Sequence, residues 1–328
     1  MAAMSLVDTE TNKYASISKP WLAYYSKEYS EMSIDKCTMF DMVKSGCEMM
    51  NKKNDFAISY FGRKLTYSEM FERIEEYAAA FSRCGVKKGE IVSFLTVSIP
   101  ESIFSIYALN KLGAVCNFID VRTDVTHIKE YIRKAGSGVL ITLEMCFEKI
   151  KDSMEELDLR LVICQKPSDS LPAVKRVLYN LKNNKNRVPY DGKRIITNCE
   201  FVRLGENTNV PSAEYEPDMP AIITRTGGTT GLSKGVVLTN DNLNAIAFNF
   251  RASCMEKVPR KRSLLNFLPL GTSYGIAVGV HMALCMCCED ILIPNFNPEK
   301  FDDLILKYKP NHIIAVPTFY QKLISSPH

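Results

Sequence analysis

A regular alternation of short apolar runs with helical segments constrains the fold of this chain more than any other feature. Apolar runs at 55–61, 90–98, 114–119, 138–143 and 159–164 alternate with predicted helices at 66–84, 100–111, 125–134 and 146–156. Strands that are separated by single helices need crossover connections, which are right-handed and produce a mainly parallel sheet. The predicted fold class is therefore α/β, with mainly parallel βαβ sheets and helices on both faces.

The helix that follows the first predicted hairpin has the clearest local signals. Thr66 is an N-cap candidate with Glu69 three residues later, the spacing of a capping box, and Gly85 can end the helix. Met70, Ile74, Tyr77, Ala78 and Phe81 form one apolar stripe at helical spacing.

Composition limits the class of protein. The 328 residues correspond to roughly two domains, and the net charge of 41 − 37 = +4 is too dilute to predict nucleic-acid binding. The 11 cysteines are an odd number and no secretory signal opens the chain, so we expect reduced thiols in a cytoplasmic protein.

One stretch allows a membrane interpretation. Residues 264–288 carry no formal charge, and basic residues precede them. The first half of the stretch contains Asn266, Pro269, Gly271 and Gly275, which favour a strand, a loop and then a buried helix. We therefore predict buried core and no transmembrane span.

Residues 165–220 interrupt the alternation and are predicted to be a linker or surface insertion, with a short helix near 172–182. From Gln165 to Arg194 there are eight Lys/Arg against two acidic residues, a local charge of +6. Anionic lipid, nucleic acid or an acidic partner could bind such a segment, but it lacks an aromatic stacking platform, which favours a solvated loop. The predicted organisation is a first α/β subdomain at 1–164, this insertion, and a second α/β subdomain at 221–328 that is incomplete at its C-terminus.

The most informative segment is AIITRTGGTTGLSKGVVLT at 221–239, where a predicted strand enters a loop rich in glycine and threonine. Glycines let backbone N–H groups converge, threonines add hydroxyl donors and a lysine adds a positive charge, so the loop suits a phosphate chain. It is not a Walker A loop, because Leu232 and Ser233 separate Gly231 from Lys234. An ordinary glycine-rich turn remains the alternative from composition alone.

Read letter by letter, TGGTTGLSKGV at 226–236 resembles T-S-G-T-T-G-x-P-K-G-V, the phosphate-binding signature of the adenylate-forming superfamily. Gly227 and Ser233 replace the usual Ser and Pro, and Arg225 stands where an apolar or aromatic residue is more usual. Segments at 65–70, 107–120, 238–243, 266–275 and 298–323 resemble the family's N-terminal domain in the same order. The resemblance covers about 38–328 apart from the insertion.

This resemblance implies an ATP-dependent, AMP-forming ligase of the acyl-CoA synthetase type. A carboxylate would attack the α-phosphate of ATP, and coenzyme A would then take the acyl group, so the implied cofactors are ATP, Mg²⁺ and coenzyme A. No protein nucleophile is needed, because positioning and charge neutralisation carry such transfers. The implied phosphate-binding residues are Thr226, Gly227, Gly228, Thr229, Thr230, Gly231 and Lys234.

The family's carboxylate-substrate pocket borders the segment that reads PLGTSYG here, where Thr272 stands in place of a common histidine. The pocket candidates are Thr272, Ser273, Tyr274 and Gly275, although they could equally pack a strand-to-helix turn. The segment carries no acidic residue, which favours a fatty or other uncharged acyl acid. An amino-acid adenylation domain of a peptide synthetase and a non-enzymatic acyl or nucleotide sensor remain alternatives.

The resemblance also implies elements that do not occur before residue 328: a Y-G-x-T-E segment with a magnesium-binding glutamate and a small domain with a catalytic lysine. No catalytic or metal-binding residue is therefore assigned, and the chain alone is expected not to form an acyl-adenylate. The expected partners are a small carboxylic acid and coenzyme A, not nucleic acid. The basic 165–194 segment is the candidate surface for peripheral membrane contact, and the oligomeric state is left open.

Overall fold

A computed structural model describes residues 18–20, 23, 33–182, 188–226, 233–254 and 262–326. Their contacts divide the chain into two units, Met1–Ile34 and Asp35–His328. Only a few residues of the first unit are described, and both sheets belong to the second unit.

Two sheets form the framework of this unit. The five-stranded sheet consists of β1 (Phe56–Tyr60), β2 (Arg63–Thr66), β10 (Ser263–Asn266), β11 (Glu289–Leu292) and β12 (His312–Ile313), in the order β12-β10-β11-β1-β2. The seven-stranded sheet consists of β3 (Ile91–Leu95), β4 (Val115–Phe118), β5 (Val139–Leu143), β6 (Leu161–Gln165), β7 (Ile195–Thr197), β8 (Pro220–Arg225) and β9 (Gly235–Thr239), in the order β7-β6-β5-β3-β4-β8-β9. All neighbours are parallel except β1–β2 and β8–β9.

Helices connect and cover the strands. They are α1 (Met39–Met49), α2 (Tyr67–Arg83), α3 (Pro100–Lys111), α4 (Val125–Ala135), α5 (Ala173–Lys182), α6 (Asn198–Leu204), α7 (Asn240–Cys254), α8 (Ala283–Cys285), α9 (Phe301–Tyr308) and α10 (Pro317–Ile324). A π-helix, Gly275–Met282, leads directly into α8. The predicted α/β class with mainly parallel strands is confirmed.

The predicted capping box is present at the start of α2. The Thr66 hydroxyl oxygen accepts the N–H of Glu69, and a Glu69 carboxylate oxygen accepts the N–H of Thr66 at 2.7 Å. Gly85 follows the helix with φ at +76°, the left-handed conformation that favours glycine. The apolar stripe that the sequence predicts is buried in the main core.

The helix predicted at 146–156 is wrong. The chain forms two 3₁₀-helices there, Glu144–Lys149 and Lys151–Ser153. The tighter turn places Phe147 and Ile150 three residues apart on one buried side, and the Lys149 ammonium donates to the carbonyl oxygens of Val121 and Thr123 at 2.6 and 3.0 Å. These distant contacts outweigh the local helical pattern.

The strands of each sheet come from distant parts of the chain, so the sheets do not follow the segments 1–164 and 221–328. Each sheet takes strands from both segments. The intervening 165–220 segment is also more ordered than a linker, since it contains α5 as predicted and adds α6 and the edge strand β7. The boundaries at 164 and 220 remain predictions.

The charge-free stretch is confirmed as buried core. It contains β10, a turn, the π-helix and α8, and the residues from 275 to 286 are buried. In the described part of the chain, no helix has both the length and the apolar character needed to cross a membrane.

Candidate functional site

The glycine-rich loop leaves the seven-stranded sheet between β8 and β9. The two strands pair antiparallel, with Ile222 opposite Leu238 and Arg225 opposite Gly235. At the base of the loop the Thr226 N–H donates to the carbonyl oxygen of Lys234 at 3.1 Å, and the Lys234 N–H donates to the Thr226 hydroxyl oxygen at 3.3 Å. Within the described residues, the Thr226 hydroxyl proton and the exposed Lys234 ammonium have no partner and can contact an anion at the loop.

The predicted phosphate-binding residues Gly227, Gly228, Thr229, Thr230 and Gly231 lie outside the described residues. The structure thus places the first and last members of the predicted set, Thr226 and Lys234, side by side. It does so at the carboxyl end of β8, where β3 and β4 also end because all three run parallel. Ligands of open α/β sheets bind outside the carboxyl ends of the strands.

A polar network lies beside the loop, and its centre is Arg225. One guanidinium nitrogen donates to the side-chain oxygen of Asn117 at the end of β4, and the guanidinium lies 4.3 Å from the ring centroid of Tyr131 in α4. Burial lowers the pKa of Arg225. The cation–π contact and the amide oxygen compensate part of the charge's lost hydration.

The network continues into the neighbouring strand. The Asn117 amide donates to the Ser93 hydroxyl at 2.9 Å, and the Ser93 N–H donates to the Ser137 hydroxyl at the same distance. In addition, Nε of Arg225 is buried without a partner among the described residues. From the sequence alone, Arg225 is only a departure from the residue that is usual at this position. Its position directly before the phosphate signature, at the end of a parallel strand, was the signal that it belongs to the site.

An apolar cavity lies between β9, α7 and the π-helix. Its volume is about 270 Å³, and its lining residues are Leu238, Asn242, Leu243, Ile246, Ser273, Tyr274, Ala277 and Val278. None of these residues carries a formal charge. Ser273 and Tyr274, two of the predicted acyl-pocket residues, therefore line a cavity whose remaining wall is supplied by β9, α7 and the π-helix.

The other two pocket candidates shape the turn before the π-helix. The Thr272 hydroxyl donates to the carbonyl oxygen of Pro269 at 2.8 Å and accepts the Gly275 N–H at 3.0 Å. A Cβ atom on Gly275 would lie 2.0 Å from the Pro269 oxygen, so only glycine fits there. Thr272 and Gly275 thus shape a packed strand-to-helix turn, and their assignment to the acyl pocket stays a prediction.

His281 is buried in the π-helix, where core residues bind its ring. Its ring nitrogens lie 3.1 Å from the Tyr107 hydroxyl and 2.9 Å from the Asn244 side-chain oxygen. Burial lowers the pKa of His281 to about 3, so the ring is neutral at physiological pH. Both nitrogens are engaged with core residues, which leaves neither for chemistry.

The family model of the AMP-binding enzymes matches residues 48–328. The chain belongs to this family. The predicted resemblance to the adenylate-forming enzymes is thereby confirmed, from position 48 rather than 38. Among curated relatives, the long-chain-fatty-acid–CoA ligase of Bacillus subtilis is 28% identical over 318 residues, covering 94% of this chain and 56% of that protein. The long-chain-fatty-acid–CoA ligase of Escherichia coli O157:H7 is 21% identical over 320 residues, with the same coverage of 94% and 56%.

Solved structures of the family share the fold. A long-chain-fatty-acid-CoA ligase from Archaeoglobus fulgidus superimposes with a TM-score of 0.70 at 21% identity, covering 90% of this chain and 54% of that one. ATP-bound MatB from Rhodopseudomonas palustris superimposes with a TM-score of 0.69 at 20% identity, covering 89% of this chain and 52% of that one. The chain thus spans about half the length of the AMP-binding proteins it matches.

Proposed function

We propose that this chain is the ATP-binding and acid-binding part of an AMP-forming acid–thiol ligase. In the complete reaction a carboxylate oxygen attacks the α-phosphorus of ATP, pyrophosphate leaves, and a thiol then attacks the acyl-adenylate and releases AMP. The proposed thiol is that of coenzyme A. The residues of this chain bind and orient the substrates, and no protein side chain acts as the nucleophile.

The observation that carries this proposal is the closed base of the loop between β8 and β9. Hydrogen bonds between Thr226 and Lys234 hold the first and the last of the predicted phosphate-binding residues next to one another. The backbone of Lys234 is then held at the base of the loop. Its exposed ammonium can make a charge-assisted contact to a phosphate oxygen and neutralise the leaving pyrophosphate. Membership of the AMP-binding family supports this role for the signature.

The proposed acid has an uncharged acyl tail. The cavity between β9, α7 and the π-helix is lined by aliphatic residues together with Ser273, Tyr274 and Asn242, and it offers no charge to a substrate amine. This lining supports a fatty or other apolar acid over an amino acid. The curated relatives named long-chain-fatty-acid–CoA ligases support the same substrate class.

Magnesium is part of the proposed reaction because it would neutralise charge on the phosphates of ATP. The described residues contain no group of three or more His, Cys, Asp or Glu that could hold a metal ion. No step of the proposed reaction is assigned to a metal site of this chain.

The direct test is a calorimetric titration of the chain with Mg·ATP. Replacing Lys234 with alanine should weaken binding by about tenfold or more, since a charge-assisted contact contributes roughly 1.5–3 kcal/mol. Lys87→Ala is the matched control, because Lys87 is an exposed lysine that precedes β3 at the opposite, amino-terminal edge of the same sheet. Equal affinity of the wild type and Lys234→Ala would contradict the proposed phosphate site.

The acid is tested separately, by calorimetric titration of the chain with a medium-chain fatty acid and with an amino acid of similar size. Binding of the fatty acid supports the proposed substrate class, whereas binding of the amino acid alone contradicts it. ATP–pyrophosphate exchange is a further measurement, and no exchange is expected because the chain alone is predicted not to form an acyl-adenylate.

A further inference from the structure

Helix α5 presents an apolar face to solvent. Val174, Val177, Leu178 and Leu181 are 74, 59, 55 and 71% exposed, and the helix contains no buried residue. Their spacing of i, i+3, i+4 and i+7 puts all four on one side of an α-helix. A surface helix of a globular protein normally turns such a stripe towards the core.

The opposite face of α5 is attached to the rest of the unit. The Lys175 ammonium donates to the carbonyl oxygen of Phe61 at 2.5 Å, the Ser168 hydroxyl donates to the Asn180 side-chain oxygen at 3.0 Å, and Tyr179 packs against the main core. Arg176 donates to the carbonyl oxygen of Leu171 at 3.2 Å. These contacts hold the helix so that its apolar stripe points away from the core.

The charge of the segment identifies the kind of surface that this face suits. Residues 171–190 contain no Asp or Glu and five Lys/Arg. Lys175 and Arg176 bond to carbonyl oxygens on the attached face, whereas Lys182, Lys185 and Arg187 follow the apolar stripe in the sequence. An amphipathic helix with an aliphatic stripe and basic flanks binds in the plane of a bilayer interface, where apolar side chains enter the acyl boundary and cations contact anionic headgroups. A partner protein would have to supply both an apolar groove and an acidic rim.

We propose that α5 docks this protein on the surface of an anionic lipid bilayer, through Val174, Val177, Leu178 and Leu181. The helix lies parallel to the membrane plane, and Lys182 lies at headgroup level next to the stripe. This inference rests on the exposed stripe and the local charge, and it is independent of the proposed ligase activity.

The test is flotation of the purified chain with phosphatidylcholine vesicles, with and without one quarter phosphatidylglycerol. Binding is expected to the anionic vesicles, with a clear loss at high salt because the screening length shortens. Leu178→Ser and Leu181→Ser are each expected to lower the partition coefficient about fivefold or more, since each removes an aliphatic group from the interface. Leu306→Ser is the matched control, because Leu306 in α9 has the same exposure as Leu178, 55%.

Three results would overturn the proposal. The first is equal binding to neutral and anionic vesicles, or none to either. The second is an equal loss for Leu178→Ser and Leu306→Ser. The third is a dimer in light scattering that Leu178→Ser converts to a monomer, because the face would then be an interface between two copies. Circular dichroism of each variant separates loss of binding from loss of fold.

Discussion

Gly235 leaves the space in which the guanidinium of Arg225 lies. The two residues are opposite each other on β8 and β9, and a Cβ atom on residue 235 would lie 2.6 Å from Nη1 of Arg225 and 3.3 Å from Ile223 Cγ2. Asn117 and Tyr131 hold the guanidinium from the other side, so it cannot move away without losing both contacts. The last glycine of the phosphate signature thus has a packing role as well.

We expect Gly235→Ala to lower the free energy of unfolding by about 1–3 kcal/mol, because a methyl group overpacks the space beside the held guanidinium. The measurement is urea unfolding followed by circular dichroism. In an Arg225→Ala background the same substitution should cost much less. Additive effects in this double-mutant cycle would refute the steric relationship.

Thr272 is expected to stabilise the turn rather than to bind substrate. Thr272→Val removes both hydroxyl contacts, to the Pro269 carbonyl oxygen and the Gly275 N–H, and should cost about 1–2 kcal/mol in urea unfolding. Thr272→Ser keeps the hydroxyl and serves as the control. If valine leaves stability intact but reduces fatty-acid binding, the residue belongs to the pocket instead.

The cavity predicts a size limit for the acyl tail. Ala277→Leu adds three carbon atoms to its wall and should weaken binding of a fluorescent fatty acid such as cis-parinaric acid about tenfold. Ala245→Leu makes the same change on α7, at a position that does not line the cavity. Unchanged affinity of Ala277→Leu would show that the fatty acid binds elsewhere.

Because of the buried His281, we expect the folded protein to become less stable at mildly acidic pH. Because burial lowers its pKa from 6.5 to about 3, the unfolded state binds more protons than the folded state between these values. The stabilisation is complete above pH 6.5 and decreases as the pH falls below it, by about 2 kcal/mol at pH 5. His281→Gln should lack this decrease in stability. The measurement is the free energy of unfolding of both proteins at pH 7 and at pH 5.

At each pH the free energy of unfolding of the wild type is compared with that of His281→Gln, because buried acids change the stability with pH in the opposite direction. Burial raises the pKa of Asp290 well above its usual range and that of Glu101 to about 7, so these groups favour the folded state as the pH falls. An identical pH dependence for the two proteins would mean that the folded protein accommodates a charged His281.

The sequence by itself determined the elements whose signals are local. The capping box of Thr66 and Glu69 spans three residues, and Pro100 starts α3 at its first position. The strand–loop–strand at 220–239 was visible because its glycines, threonines and Lys234 are contiguous. Where interactions reach only three or four residues along the chain, residue types and spacing are sufficient information.

Only the tertiary structure decided which distant segments meet. In sheet β12-β10-β11-β1-β2, Ile58 pairs with Asp290, 290 − 58 = 232 positions away, and Arg225 reaches Asn117 across 108 positions. The 3₁₀-helices at 144–153 replaced the predicted helix because Lys149 bonds to carbonyl groups of a preceding loop. The outward apolar face of α5 is also a tertiary outcome, since a periodic stripe alone predicts burial. Which side of a helix faces the core depends on the elements that it packs against, and those elements are distant from it in the sequence.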